Sequence, residues 1–154
     1  MRRLLAVFSL FLAFASSSAF AGSGDATLRC KSPSGRTEFT ATIQDIEGIL
    51  HRASVTVDGA SIAFGDPDRC AAIFDSAHGV YTISVEGPPT ERFPNGRFLR
   101  FLAIPKSFRA AGKTADGKDT WTFDAILICT EPRKDKDSVL TPQIELRCTL
   151  TYGI

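Results

Sequence analysis

Asp75, Ser76 and His78 supply the three side-chain types of a nucleophilic triad within four positions. A triad works by geometry: the base takes the hydroxyl proton, the carboxylate holds the base, and the members usually come from separated parts of a chain. Crowded ahead of Gly79, these residues read instead as turn chemistry, with Asp75 and Ser76 bonding local backbone. The other histidine, His51, stands beside Arg52 where a strand begins and reads as a rim residue. No Gly-x-Ser-x-Gly or His-Glu-x-x-His pattern occurs, so the chain is not expected to be an enzyme. Asp66 and Asp68 bracket a proline, and Asp116 and Asp119 bracket Gly117-Lys118. A calcium loop needs more oxygen ligands in a set order, so these pairs read as turns, and no metal or other cofactor is expected.

The composition changes over residues 87–101, GPPTERFPNGRFLRF, where three prolines, three arginines and three phenylalanines fall together. A proline-stiffened segment loses little entropy on binding, and arginine with aromatics is the composition enriched at interface hot spots. Arg92, Phe93 and Arg97 are therefore the expected contact residues for a protein partner. The competing reading is a long connection whose Phe93 folds back over the core. Basic residues among aromatics also occur where single-stranded nucleic acid is bound, but a near-neutral exported chain argues against that partner. Two other functions remain open: a small barrel carrying an apolar ligand, and a structural component of an envelope or secreted assembly.

Cys30, Cys70, Cys129 and Cys148 make an even set, with no Cys-x-x-Cys and only two histidines to help hold a metal. In an exported chain this predicts two disulfides. Of the three possible connectivities, Cys129–Cys148 with Cys30–Cys70 is favoured, because Cys129 and Cys148 fall in what reads as one hairpin.

Export itself is read from residues 1–21. Arg2 and Arg3 precede an apolar run from Leu4 to Ala15, and Ala19-Phe20-Ala21 is a small-x-small cleavage site, the layout of a secretory signal peptide. Cleavage is expected after Ala21, with Ala19 as the alternative, leaving one periplasmic or secreted domain over 22–154. The apolar run is shorter than a membrane span requires, and no cysteine follows the cleavage site, so no membrane anchor is expected. Two of the 18 Lys and Arg residues lie in the leader, leaving 16 against 17 Asp and Glu. A net charge of about −1 sets up no field to steer the protein onto nucleic acid.

The elements that must position these residues are strands. Ile144, Leu146, Cys148, Leu150 and Tyr152 alternate with polar residues, as do Trp121, Phe123, Ala125, Leu127 and Cys129, the period of a strand with one wet face. Further strands are expected at 27–31, 36–44, 53–57, 60–64, 80–86 and 97–104, with a short one near 108–113. Ser32-Pro33-Ser34-Gly35, Asp58-Gly59 and Asp116-Gly117 mark turns. Residues 66–79 can form either a short helix capped by Asp66-Pro67-Asp68 or a hairpin, and the hairpin is favoured. A single helical turn over 45–50 is a further option. The fold expected is all-β, a compact antiparallel sandwich or small barrel of about eight strands.

Overall fold

The computed structural model describes residues 25–45, 49–66, 68–75, 80–132 and 139–153. The expected signal peptide, the Ser76–His78 turn, the middle of the optional helical turn at 45–50 and the Lys134–Asp137 loop lie outside the described residues. Ten strands form among the described residues: β1 (Ala26–Lys31), β2 (Thr37–Asp45), β3 (Ile49–Val57), β4 (Ala60–Gly65), β5 (Arg69–Asp75), β6 (Val80–Gly87), β7 (Arg97–Ala103), β8 (Arg109–Lys113), β9 (Asp119–Cys129) and β10 (Ile144–Tyr152). No helix is present among the described residues. The 66–79 segment resolves as the hairpin alternative, with β5 pairing antiparallel to β6.

All ten strands belong to one antiparallel sheet, in the order β4-β3-β2-β1-β10-β9-β7-β6-β5. β8 sits off this path and pairs with the first part of β9, in the lane that β7 occupies along the second part. The sheet is thus two meanders, β1–β4 and β5–β9, joined where β10 lies between β1 and β9. Its edge strands β4 and β5 are consecutive in the chain, linked by the turn at 66–68. A three-residue link can join opposite edges only if the sheet curls round on itself. It does so, forming a half-barrel in which β3 approaches β5.

Local chemistry explains the turns. Asp58 and Gly59 both take positive φ, 46° and 84°, as a two-residue hairpin with the strands' own twist requires. Along the strands of the main path alternate residues enter the curl, whereas all five residues of β8 are exposed. Phe39, Tyr81, Phe101 and Phe123 meet there, with Phe39 stacked on Phe101 at 5.0 Å and Tyr81 edge-on to Phe101 at 5.8 Å. Phe108 closes over Phe123 at 4.2 Å. Aromatic pairs at these separations add about 0.5–1.5 kcal/mol each to their burial. The concave side is filled by protein.

The disulfide pairing departs from expectation. Cys30 bonds Cys148, 118 residues away, and Cys70 and Cys129 are free thiols, so there is one bridge rather than two. Register is the reason. Cys148 stands directly opposite Cys30 across β1 and β10. In the β9–β10 hairpin its partner is Phe123, and the pairing ends at Leu127–Ile144. Cys129 lies beyond that end, opposite Leu99 of β7. Cys70 is on β5, at the far edge of the sheet from β1. A bridge between the first and last strands suits an oxidising compartment.

Candidate functional site

The connection from β6 to β7 is folded tightly on itself. The Thr90 hydroxyl accepts the Phe93 N–H at 3.0 Å, the Thr90 N–H donates to the Phe93 carbonyl at 3.0 Å, and the Gly96 N–H donates to that same carbonyl at 2.9 Å. Phe93 leaves only 3% of its surface exposed and belongs to the core. The fold-back reading of this aromatic matches its position. It pins the loop to the barrel mouth.

Both arginines are tied to neighbouring segments, Arg97 half-buried and Arg92 exposed at the surface. Arg92 lies over the Phe93 ring at 4.9 Å and donates to the carbonyl of Pro132 at 2.7 Å. Arg97 bonds Asp68 at 2.5 Å, with the carboxylate side chain 2% exposed, and its guanidinium stands 5.9 Å from the Phe64 ring centre. The second Asp68 oxygen accepts the Gly65 N–H at 3.0 Å. The structure therefore brings Arg92, Phe93 and Arg97 together as a brace that ties the loop to β4, to the 66–68 turn and to the segment after β9.

What this brace holds open is a cleft of about 540 Å³, walled by Pro89, Asn95 and Gly96 on the loop side and by Phe98, Thr130 and Leu140 opposite. Its floor is firmly set. The Thr130 hydroxyl accepts the Phe98 N–H at 2.8 Å, and the Thr130 N–H donates to the Phe98 carbonyl at 2.8 Å. Thr141 repeats the device one step along, its hydroxyl accepting the Cys129 N–H at 3.1 Å and its own N–H donating to the Cys129 carbonyl at 2.8 Å. Leu140, 49% exposed, and its exposed neighbour Val139 offer apolar surface at the rim. A smaller recess of about 310 Å³ adjoins it around Arg69, Glu86, Pro88 and Pro89. Leu140 and Thr130 carried no signal in the sequence, and Asp68 showed only as a turn residue; the bridge between Thr130 and Leu140 brings those two beside the loop.

No family model, curated protein or solved structure matches this chain.

The other candidates fall elsewhere. His51 is exposed on β3. Asp116 closes the β8–β9 turn, where hydrogen bonds from Thr114 and Lys118 hold its carboxyl below the ordinary value. No group of three or more His, Cys, Asp or Glu side chains able to hold a metal gathers among the described residues. The two free thiols differ in setting. Cys129 is fully buried, and desolvation, partly opposed by the Thr141 hydroxyl, pushes it from 9.0 to about 11. Cys70 is half-buried and raised by desolvation as well, with a backbone hydrogen bond at Leu50 opposing. A thiol raised in this way holds its proton at neutral pH and is a poor nucleophile.

Proposed function

We propose that this protein is an exported, non-enzymatic binding or inhibitor module that takes a segment of a protein partner into the cleft beside the 88–96 loop. The observation that carries this reading is the brace. Phe93, Arg92 and Arg97 hold a proline-rich loop in one conformation, so the cleft exists before a partner arrives. Preformed sites avoid the ordering cost that weakens flexible ones. The contact surface is then the rim, Pro88, Pro89, Asn95 and Leu140, while the three residues first singled out by composition act from behind it. Mixed apolar and polar walls suit a peptide segment with one apolar side chain seated against Leu140 and Phe98. The side-chain-filled concave face weighs against a carrier of apolar ligands and favours surface recognition.

The test begins with capture by the immobilised protein from its own milieu, followed by calorimetric titration of the purified captured protein. Leu140→Asp and Asn95→Trp, one altering the wall's polarity and the other filling the cleft, are expected to weaken binding at least about tenfold while Tm stays unchanged. Wild-type affinity in both variants would place the contact surface elsewhere and defeat the proposal.

A further inference from the structure

The outer face of the sheet carries a pattern visible only in register. One row across five strands reads Arg52 (β3), Thr42 (β2), Thr27 (β1), Thr151 (β10) and Thr120 (β9). The next reads Ser54, Thr40, Arg29, Thr149 and Thr122 on the same strands. Paired residues in neighbouring strands share a face about 4.8 Å apart, so the two rows form a belt roughly 19 Å long. It holds seven threonines, one serine and two arginines, with no carboxylate, no aromatic and no large apolar side chain; the Thr120 hydroxyl, at the β9 end, is buried, which leaves six threonines for contact. Acids of this face stand outside the two rows: Glu38, which engages Lys31 at 2.8 Å, and Asp124, opposite Arg147, in the next row, and Glu145 one row further along β10.

Two further observations point outward from the belt. Among the described residues, neither Arg29 nor Arg52 has a carboxylate within ion-pair distance. At the middle of the belt the surface dips into a recess of about 700 Å³, lined by Thr27, Arg29, Thr40, Thr42 and Thr149, with Arg147 and the Lys31–Glu38 ion pair along one side, so that the one carboxylate at the recess is already neutralised.

A ligand for such a surface must present many hydroxyls and some negative charge. Threonine hydroxyls both donate and accept, as sugar hydroxyls do, and a guanidinium fork matches a carboxylate bidentately. A nucleic acid strand would want aromatic stacking platforms, and a protein interface would want a buried aromatic or aliphatic anchor; the belt has neither. We propose that the belt binds an acidic polysaccharide lying across the strands, its carboxylates on Arg29 and Arg52 and its hydroxyls on the threonine rows. The belt shares no residue with the loop cleft, so the two sites stand or fall separately.

The probe is alginate, a polyuronate, in native affinity electrophoresis of the full protein at 0.15 M salt (a Debye length of about 8 Å). Dextran, oligo-dT and phosphatidylglycerol vesicles are the comparison ligands. Alginate is expected to retard the protein and dextran is not. Arg29→Gln with Arg52→Gln should weaken alginate binding by about tenfold or more. Thr40→Val with Thr149→Val, which removes hydroxyls and leaves charge unchanged, should weaken it several-fold, as simple ion exchange would not. Both variants are checked for unchanged Tm; if the glutamine pair does not fold, Arg29→Lys with Arg52→Lys, which keeps charge and loses the fork, must show the loss instead. Absence of alginate binding, unchanged affinity in either variant, or tighter binding to oligo-dT or the vesicles would each overturn the proposal.

Discussion

Arg97 and Asp68 meet at 2.5 Å across the seam where the two ends of the curled sheet come together. Arg97 begins β7, while Asp68 belongs to the turn joining β4 to β5, and its other oxygen takes the Gly65 N–H. The pair ties the loop to both edge strands. Removing one partner of a buried pair strands the other charge and typically costs about 3–5 kcal/mol. Asp68→Ala is expected near the lower figure, because Arg97 keeps some solvent contact. The measurement is the urea midpoint at unchanged slope; a shift worth under about 1 kcal/mol would show that the seam does not depend on this pair.

Gly87 sits against that same pair. A Cβ there would come within 2.6 Å of Arg97 Nε and 2.8 Å of Asp68 Oδ1. Gly87→Ala should therefore cost about 1–3 kcal/mol, as overpacking does. In an Asp68→Ala background the cost should shrink, since one of the two crowded groups is gone and Arg97, released from its partner, can move aside; a double-mutant cycle reads the coupling directly.

Phe93→Ala is expected to destabilise the protein by about 3 kcal/mol or more, the range for a buried phenylalanine. Leu140→Asp, on the exposed rim, should stay within about 0.5 kcal/mol. Thermal unfolding of the two variants separates brace from contact surface. A triple alanine variant at Arg92, Phe93 and Arg97 would consequently lose stability along with any binding, and is not a clean probe of recognition.

Reduction of Cys30–Cys148 releases a constraint spanning 118 residues. In the chain-entropy description a loop of that size corresponds to about 5 kcal/mol, so Cys30→Ser should lower stability by several kcal/mol, measured by denaturant unfolding. Under native oxidising conditions peptide mapping after alkylation should find label at Cys70 well before Cys129.

Cys129 also gives stability a sign with pH. Its folded value, about 11, lies above the ordinary 9.0, so the folded state keeps a proton that the unfolded chain releases. Stability is complete below about pH 9 and falls as pH rises through 11, with a limiting slope of about 1.4 kcal/mol per pH unit. Tyr81, raised further by burial, adds to the same alkaline loss. Cys129→Ala should flatten the slope of stability between pH 9 and 11, measured by urea unfolding at fixed pH steps.

Alternation along β10 and β9 made those strands readable residue by residue, and Asp58-Gly59 marked its hairpin, because both signals are local. The all-β class followed from them. The Cys30–Cys148 bond was not legible, since it depends on the pairing of the first strand with the last, and no local pattern encodes that register. Phe93 showed as an unusual aromatic, but whether it pointed inward depended on Thr90 and the barrel mouth. Leu140 was invisible for the same reason. Arg29 and the threonines each looked like ordinary solvent-facing residues of separate strands; only pairing lines them up.

The place of β10 in the strand order bears on how the chain reaches this state. Each meander can assemble from neighbours in sequence, and does not need the other to begin. Yet the strand that joins them, and the cysteine that locks the junction, reside in residues 144–152, which emerge in N-to-C synthesis after all nine other described strands. Until then β1 and β9 present unpaired edges, which are templates for association with other chains. Closure of the sheet is therefore vectorially late: a chain interrupted before Ile144 holds two meanders joined through the short β4–β5 link alone, with the lane between β1 and β9 empty.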